Sequence, residues 1–413
     1  MRWMIAGFIW LAASAAPVVA AEHAPGNTSA LMTRVVDRLE TKQADLLELR
    51  RDIHRNPELS NEEARTAGLV AARLEALGFE VRRDVGGHGV VGVLRGARPG
   101  RTVAFRADMD AVKDDSHDPV EFRSLRPGVR HICGHDIHTT IGIALAESFA
   151  AIRDELPGTV VLYFQPAEEA GTGAQAMIVD GAMETPRPDA VFALHTAPYE
   201  IGTFATSESV LMVSRDRARI KVSGDHAQAL AQDVVNRLSA LSSAEALQPQ
   251  PAGGDWVNVN AWTEGTQTGS AEAIAIFNLA TSGARANMRQ AVDSIIAEAR
   301  QAHPDAQIEA GYEADWLPGV RNHATLTRTA VASLRAELGE SAVIYEATLL
   351  PAVSEDFGHM QAVIPGTYFF MGVSNSQRGW IGMPHTPSYV ADEASIVIGA
   401  RAMVRVMLDA LQN

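Results

Sequence analysis

Apolar residues along the chain follow the two spacings that distinguish helices from strands. Residues 33–56 carry apolar side chains at helical spacing, and Pro57 predicts the end of that helix. A second amphipathic helix is predicted at residues 62–77. Short apolar runs at residues 90–94 and 102–107 then predict the first two strands.

The next part of the chain alternates helix and strand in order. The pattern predicts helices at residues 139–153 and 174–179, and strands at residues 159–165 and 190–194. Such alternation is typical of a mostly parallel sheet with helices on both faces. The predicted fold class is therefore α/β.

The pattern changes after the first half of the chain. The elements predicted there follow the order β-α-β-β-α-β of a split βαβ module, and sheet-forming sequence lies on both sides of them. We therefore expect a smaller α+β domain at residues 210–315, which would serve as a lid or in dimerisation. It would be inserted into a catalytic domain that comprises residues 22–209 and 316–413.

The first 21 residues form a separate segment. Arg2 precedes an apolar stretch, and small residues lead from it to Ala21. A basic start, an apolar centre and a small-residue exit are typical of a secretory signal peptide. A retained membrane anchor is the alternative, although no later apolar run is long enough to span a bilayer. We expect an exported chain, periplasmic or secreted, with no membrane partner after cleavage.

Composition narrows the class of protein further. The 413 residues are 46% hydrophobic and 21% charged, with a formal net charge of −15. These values are typical of a globular protein, and the acidity argues against nucleic acid as a partner. The single cysteine, Cys133, cannot form an internal disulfide. A bound metal would explain a lone thiol in an exported protein.

Two adjacent carboxylates are the most informative feature of the sequence. Glu168 and Glu169 come directly after a predicted buried strand. Two other predicted strands also end in ionisable groups, one in Asp108 and Asp110 and one in His195. Ligands gather beyond the carboxyl ends of strands in open α/β sheets, so these strand ends predict one shared site. One carboxylate of the pair can hold a metal ion while the other moves a proton.

A second cluster lies at residues 131–138, where three histidines accompany Cys133. Cys133 and His135 are two residues apart, so an extended segment points both side chains the same way. Thiolate, imidazole and carboxylate together favour zinc, manganese, nickel or cobalt. A structural zinc usually takes four ligands from two compact knuckles, whereas the sequence has one knuckle. A structural metal and a metal-free cluster are alternatives, but a catalytic centre completed from distant residues is the better interpretation.

Several short motifs occur in one order along nearly the whole mature chain. They are RDIHRNPE from residue 51, FRADMDA from 105, CGHD from 133, QPAEE from 165, ALH from 193, SEDF from 354 and HTP from 385. In these motifs the chain resembles the M20 family of metallohydrolases, and within it the amidohydrolase branch. That branch acts on N-acyl amino acids, including hippurate and auxin conjugates.

The resemblance implies a catalytic centre with two divalent ions. The metal ligands that it implies are Cys133, His135, Glu169, His195 and His385. Five ligands suit two ions that share a bridging thiolate and a bridging water. The resemblance further implies that Glu168 is the general base, which takes a proton from water and passes it to the leaving amine.

The inserted domain matches the family less closely. The family uses a histidine of this domain as a hydrogen-bond donor, often from the partner subunit of a homodimer, and His226 is the candidate. A surface histidine at a helix start is the alternative. The family's Gly-Thr-x-Arg strand, whose arginine holds the substrate carboxylate, reads Ala-Ile-Phe-Asn at residues 275–278. Arg285 or Arg289 is the candidate replacement. Asn322 matches a substrate-side asparagine, with a simple turn asparagine as the alternative.

Other polar residues of the motifs have two interpretations. Asp108 and Asp110 either orient metal ligands or cap the turns after their strand. For His54 and Glu58 a structural capping role is the better interpretation. His138 is expected simply to open the helix that follows.

The sequence therefore predicts a metal-dependent amidohydrolase that cleaves the amide bond of N-acyl amino acids or similar small amide conjugates. A metallo-dipeptidase or carboxypeptidase is the alternative, because the same site cuts peptide bonds. A non-catalytic binding protein on this scaffold is the alternative from another class. The sequence has no Gly-x-Ser-x-Gly elbow of a serine hydrolase. Its glycine-rich segment at residues 87–92 runs into a strand, not a helix, which argues against a dinucleotide site.

Overall fold

The computed structural model describes residues 26–243, 257–265, 269–279, 281–345 and 353–412. The predicted signal peptide at residues 1–21 lies outside these ranges, so its cleavage and the export of the chain stay predictions. Within these ranges, no helix combines the length and the hydrophobicity needed to cross a bilayer.

Nine α-helices occur in the described part of the chain. They are α1 (Gly26–Arg55), α2 (Ala64–Ala76), α3 (His135–Ala151), α4 (Gly173–Val179), α5 (Ala227–Ser239), α6 (Ser282–Ala302), α7 (Ala324–Leu338), α8 (Gly358–Val363) and α9 (Ser395–Gln412).

Fourteen β-strands occur in the same described ranges. They are β1 (Glu80–Val85), β2 (Gly89–Arg95), β3 (Arg98–Asp108), β4 (Val112–Lys113), β5 (Val129–Arg130), β6 (Pro157–Gln165), β7 (Ala190–Glu200), β8 (Phe204–Thr206), β9 (Ser214–Ser223), β10 (Val257–Glu264), β11 (Ser270–Leu279), β12 (Gln307–Leu317), β13 (Val343–Tyr345) and β14 (Gly366–Ser374).

The large sheet has eight strands in the order β1-β2-β6-β3-β7-β14-β8-β13. Its four central strands, β6, β3, β7 and β14, are mutually parallel. Strand β2 runs antiparallel to β6 on one side, and β8 runs antiparallel to β14 on the other. The predicted α/β fold with a mostly parallel sheet is confirmed.

Helices cover both faces of the large sheet, which explains the continuous apolar runs of its central strands. On β6, Leu162 and Phe164 pack with helices α1, α3 and α9, whereas Val161 and Tyr163 pack with α4 and α8. Each central strand is thus buried on two sides.

The smaller sheet has four antiparallel strands in the order β10-β11-β9-β12. Helices α5 and α6 pack on one face, where Ala218, Ile220 and Val222 of β9 are buried. The chain order β9-α5-β10-β11-α6-β12 agrees with the predicted split βαβ module. Strand β12 continues to Leu317, beyond the predicted boundary at residue 315. The exact domain boundaries stay predictions.

Candidate metal centre

The candidate centre lies where β3, β6 and β7 meet the start of α3. Gly134 immediately precedes α3 with a φ of +94°, a conformation that favours glycine. A β-carbon at Gly134 would lie 2.4 Å from Thr196 Oγ1 and 2.5 Å from the Tyr389 hydroxyl. This close approach packs the segment of Cys133 and His135 directly against β7.

His195 reaches the centre from within β7, not from its end. The sequence predicted a strand that stops at residue 194, and that prediction is wrong because residues beyond 194 continue to pair with β14. The His195 Nδ1 donates a hydrogen bond to the Thr196 carbonyl at 2.8 Å, and its Nε2 lies 3.2 Å from Cys133 Sγ. Burial, together with the neighbouring His138, lowers the pKa of His195 to about 3. The imidazole is therefore neutral, as a metal ligand must be.

The Nε2 of His135 lies near three carboxylates, those of Asp108, Glu168 and Glu169. Its Nδ1 donates to Asp110 Oδ1 at 3.2 Å, and its Nε2 lies 3.8 Å from Glu168 Oε2 and 3.8 Å from Glu169 Oε1. Burial opposes protonation of His135, but nearby carboxylates, Asp108 first among them, raise its pKa to about 10. The same negative potential that favours a proton at this position favours a metal cation.

His385 enters from the loop between β14 and α9. Its Nε2 lies 3.3 Å from Glu169 Oε1, and its side chain is about half exposed. The His385 backbone N–H donates to the Ile132 carbonyl at 2.9 Å, which holds this loop against the segment that carries Cys133. The predicted ligands thus come together although more than 250 residues separate the first from the last.

The ligand atoms form two groups that share one thiol. Cys133 lies with His135 and His195 in one group, and with Glu169 and His385 in the other, each group within 4.8 Å. The buried His135 Nε2 and Glu169 Oε1 have no hydrogen-bond partner among the described residues. Orphaned buried donor atoms of nitrogen and oxygen beside a thiol fit a pair of borderline-soft divalent ions.

Glu168 stands beside the ligands but faces other acids. It belongs to one group with His135 and Glu169 and to another with Glu355 and Asp356, each within 4.8 Å. Burial and the charges of Glu355, Glu169 and Asp356 raise the pKa of Glu168 well above its usual range. The turn that presents it starts at Ala167, whose φ is +50° and whose N–H donates to the buried Glu63 at 2.8 Å. Sequence reasoning missed Glu63, which carries no motif signal of its own.

A buried arginine neutralises these acids. Arg106 donates to Asp108 at 2.5 Å, to Glu355 at 2.8 Å and to Asp356 at 3.0 Å. Its Nε donates to Gln165 at 2.8 Å. Sequence reasoning assigned no role to Arg106, although an arginine inside an apolar strand is a signal that acidic partners surround it.

Asp108 and Asp110 orient other groups of the centre. Asp110 accepts from His135 through Oδ1, and through Oδ2 from the backbone N–H of Glu169 at 3.0 Å. Asp108 accepts from His138 Nδ1 at 2.6 Å. The expectation that His138 simply opens a helix is wrong, because its Nε2 also accepts from the Thr196 N–H at 2.9 Å.

His54 belongs to a buried ionic network, so the capping interpretation is wrong for it. Its Nδ1 lies 2.8 Å from Asp136 and its Nε2 lies 3.0 Å from Asp118. Arg50 also lies 2.8 Å from Asp136. Glu58 does cap a helix, since its carboxylate accepts from backbone N–H groups at the start of α2.

The other candidates of the inserted domain and its border lie apart from the ligands. His226 is exposed and immediately precedes α5, and no hydrogen bond or ion pair among the described residues joins it to the centre. Arg285 is engaged by Asp216 at 2.9 Å and by Asp315. Arg289 lies over the Tyr312 ring at 4.8 Å. Neither arginine shows an interaction with the ligand cluster.

Asn322 has its side-chain amide committed to the fold. Its Nδ2 donates to Thr206 Oγ1 at 3.0 Å and to the Ser207 carbonyl at 2.9 Å. Its Oδ1 accepts from the Tyr368 N–H at 2.8 Å and from Gln361 at 3.1 Å. The predicted substrate contact would require these bonds to break, so the geometry favours the structural alternative.

Three known proteins place this geometry in context. The chain is 32% identical over 373 residues to thermostable carboxypeptidase 1 of Saccharolobus solfataricus, covering 86% of this chain and 93% of that protein. It is 31% identical over 395 residues to N-acetylcysteine deacetylase of Bacillus subtilis, covering 89% and 97%. The crystal structure of a Bacillus subtilis protein described as a dinuclear metal-binding peptidase from the M20 family matches with a TM-score of 0.72 and 27% identity, covering 93% of this chain and 99% of that chain.

The family model agrees with these relatives. The model described as peptidase family M20/M25/M40 matches residues 104–409, which include all five predicted metal ligands. The chain therefore belongs to this family, as the motifs predicted, and is a metal-dependent amidohydrolase within it.

Proposed function

We propose that this enzyme hydrolyses the amide bond of N-acyl amino acids or of similar small amide conjugates. The observation that carries the proposal is the convergence of two ligand groups on Cys133 with Glu168 beside them. The deacetylase relative, named for an N-acyl amino acid, supports this substrate class.

Five side chains of the centre would hold two divalent ions of zinc, manganese, nickel or cobalt: Cys133, His135, Glu169, His195 and His385. When bound, such ions acidify a water molecule and polarise the amide carbonyl. His135 donates its Nδ1–H to Asp110, and His195 donates its Nδ1–H to the Thr196 carbonyl. In these tautomers the Nε2 of each ring faces the centre and can bind a metal ion.

Glu168 is the group that moves the proton. Its Oε2 lies 3.8 Å from His135 Nε2, so the carboxyl borders the ligand cluster without being one of the five assigned ligands. We assign it to accept a proton from the attacking water and to deliver it to the nitrogen of the leaving amine. Glu355 and Asp356 lie next to it, and Arg106 compensates their charge.

The experiment that tests the proposal is metal reconstitution followed by a substrate panel. Purified protein is stripped with a chelator, reloaded with manganese or zinc, and assayed for amine release from N-acetyl and N-benzoyl amino acids. We expect activity to rise with metal content and to reach its maximum near two ions per chain. Cys133→Ala should lose both metal and activity, whereas metal content that stays unchanged in this variant would contradict the ligand assignment.

Carboxypeptidase activity is the second candidate, because the carboxypeptidase relative is 32% identical to this chain. The same reconstituted enzyme is therefore assayed on dipeptides and on N-blocked dipeptides. A kcat/KM higher on these peptides than on every N-acyl amino acid would favour the peptidase. The metal centre and Glu168 would keep the same roles in either reaction.

A further inference from the structure

The turn after β6, which carries Glu168, contains a residue in a left-handed conformation. We call residues 166–173 the catalytic turn. Ala167 in this turn has a φ of +50°, a conformation that costs free energy for any residue with a side chain. The backbone angles of Ala167 set the direction in which the next residue, Glu168, projects its side chain. Contacts that hold Ala167 in this conformation therefore also hold the assigned base.

The backbone of Ala167 is held from two sides. Its carbonyl accepts from the N–H groups of Thr172 and Gly173, both at 3.2 Å, and these bonds close the catalytic turn on itself. Its N–H instead donates at 2.8 Å to Oε1 of Glu63, a residue 104 positions earlier in the chain. The contact with Glu63 thus ties the start of the turn to a separate part of the fold.

Glu63 is an acidic residue that the fold buries completely. Its exposed fraction is 0%, and burial raises the pKa of its carboxyl. Its Oε1 accepts from the N–H groups of Ala167 and, at 2.9 Å, of Asn61. Its Oε2 is buried without a hydrogen-bond partner among the described residues. Burial of such a group lowers stability, and proteins tolerate that cost mainly at functional sites.

The loop that carries Glu63 also reaches the second glutamate of the pair. Ser60 Oγ donates to Asp110 Oδ2 at 2.6 Å, and the same oxygen accepts from the Glu169 N–H at 3.0 Å. The two adjacent glutamates are therefore supported by different groups. Asp110 holds the backbone at Glu169, whereas Glu63 holds the backbone immediately before Glu168.

We propose that Glu63 is a positioning residue for hydrolysis, which holds the catalytic turn so that Glu168 faces the attacking water. This inference rests on the proposed function, in which Glu168 moves the proton. The property that matters is a hydrogen-bond acceptor of the correct reach, because Oε1 of Glu63 already accepts two backbone N–H groups. The acidity of Glu63 is not needed for this role.

Two substitutions separate reach from acidity. Glu63→Gln keeps an acceptor oxygen at the same reach, whereas Glu63→Asp keeps the carboxyl on a side chain shorter by one methylene group. Steady-state hydrolysis of N-benzoylglycine by the metal-loaded proteins gives kcat and KM. Glu63→Asp should lower kcat about 10–100-fold, as for a misplaced catalytic group, and change KM less than about twofold. Glu63→Gln should keep kcat within about threefold of the wild type, because the acceptor is retained.

The neighbouring acid provides a matched control. Glu62 is exposed and pairs with Arg126 at 2.7 Å, so Glu62→Gln should leave kcat and KM as in the wild type. Metal content, measured by mass spectrometry, should be unchanged in all three variants, because none alters an assigned ligand. Equal losses of kcat in Glu63→Asp and Glu63→Gln would overturn the proposal, as would a Glu63→Asp enzyme that is fully active or has lost its metal.

Hydrogen exchange provides a readout that needs no turnover. In Glu63→Asp, backbone amides of the catalytic turn should exchange faster while those of the central strands exchange as in the wild type, and Glu63→Gln should match the wild type throughout. Faster exchange over the whole of Glu63→Asp would instead indicate a general loss of stability and overturn the proposal.

The two readouts distinguish failure of this inference from failure of the proposed function. If N-acyl amino acids are hydrolysed but the catalytic turn of Glu63→Asp exchanges as in the wild type, the function stands and the role of Glu63 is refuted. If no N-acyl amino acid is hydrolysed, yet exchange of the turn depends on the reach of residue 63, the proposed function fails. The support of the turn by Glu63 then stands.

Discussion

Glu168 and Glu169 are adjacent residues of one type that the fold places in opposite environments. Glu169 lies beside His385 and His135. Burial alone would raise the pKa of Glu169, but these two neighbours outweigh it, so the pKa is below its usual value. Glu168 faces Glu355 and Asp356, and burial with these charges raises its pKa. Side chains whose environments separate their pKa values are the usual mark of a division between ligand and acid–base group.

The first prediction concerns Glu168→Gln. Since the amide can neither accept nor deliver the proton, kcat should fall about 10²–10⁴-fold. Bound metal, measured by mass spectrometry, should stay near two ions per chain because the five assigned ligands are intact. Cys133→Ala is the contrasting variant, with metal lost. A Glu168→Gln enzyme that retains most of its kcat would refute the assigned base.

The second prediction concerns acid stability and Asp118. Burial opposes ionisation of this carboxyl, but hydrogen bonds from His54 and Ser124 and the charge of Arg130 lower the pKa of Asp118 to about 2. Because this pKa is below the unfolded value, the carboxylate stabilises the fold above about pH 4, and this contribution disappears as the pH falls toward 2. Asp118→Asn should therefore lower the free energy of unfolding at pH 7, and this effect should be smaller by about 1 kcal/mol at pH 3.

Urea unfolding of both proteins at the two pH values measures this difference. Asp115→Asn removes an exposed carboxylate of the same loop and serves as the control. Its effect should be small and similar at both pH values. A difference between wild type and Asp118→Asn that does not change with pH would contradict the assigned ionic role.

At the scale of elements, the start of α3 is the critical junction. The helix begins at His135 itself, so the turn at Gly134 sets the position of two ligands with respect to β7. The strand ends alone do not create the site. It also needs this helix start, the loop with His385 and the turn after β6.

The third prediction tests that junction with Gly134→Ala. The new methyl group would lie 2.4 Å from Thr196 Oγ1 and 2.5 Å from the Tyr389 hydroxyl, which is closer than van der Waals contact. The φ of +94° at this position is also unfavourable for alanine. We expect the free energy of unfolding to fall by about 2–3 kcal/mol and metal affinity to weaken. Gly202→Ala is the matched control, because Gly202 has a φ of +87° but no atom within 4 Å of the added carbon. It should cost only about 1 kcal/mol. Equal effects of the two substitutions would show that the contact with β7 is unimportant.

At the scale of the whole molecule, the inserted domain contributes to the site through its edge. The contact of Leu317 with Gly171 brings β9 and β12 to the catalytic turn, whereas His226 lies exposed at the start of α5 without a bond to the centre. We therefore expect His226 to act, if it is catalytic, from a second subunit. The homodimer that this role implies stays a prediction.

The fourth prediction tests that arrangement by mixing subunits. Glu168→Ala and His226→Ala proteins, each expected to be inactive alone, are combined under conditions of subunit exchange. If His226 acts on the partner's centre, each mixed dimer has one complete site, and statistical mixing should restore about a quarter of wild-type activity. Size-exclusion chromatography with light scattering verifies the dimers. Confirmed mixed dimers without any recovered activity would refute the role in trans.

The local pattern of apolar and polar residues in the sequence determined much about this protein. The continuous apolar runs of the central strands and the helical spacing between them predicted the α/β class, because burial on both faces leaves that pattern in the sequence. The β-α-β-β-α-β order of elements predicted the smaller sheet, which helices cover on one face only. Donor types and motif order indicated the ligand set, which the structure brings together around Cys133.

Only the tertiary structure decided which residues far apart in the sequence contact one another. Sequence spacing does not reveal that Arg106 donates hydrogen bonds to Glu355 and Asp356. Nor does it reveal the hydrogen bonds between His138 and Asp108 and between Arg215 and Asn278. These contacts depend on strand order and register, which join residues 30 to 250 positions apart. The extent of β7 was misjudged for the same reason, since pairing with β14 carries that strand past His195. The periodicity of apolar residues indicates which side chains are buried. Only the packed sheet decides which residues those side chains contact.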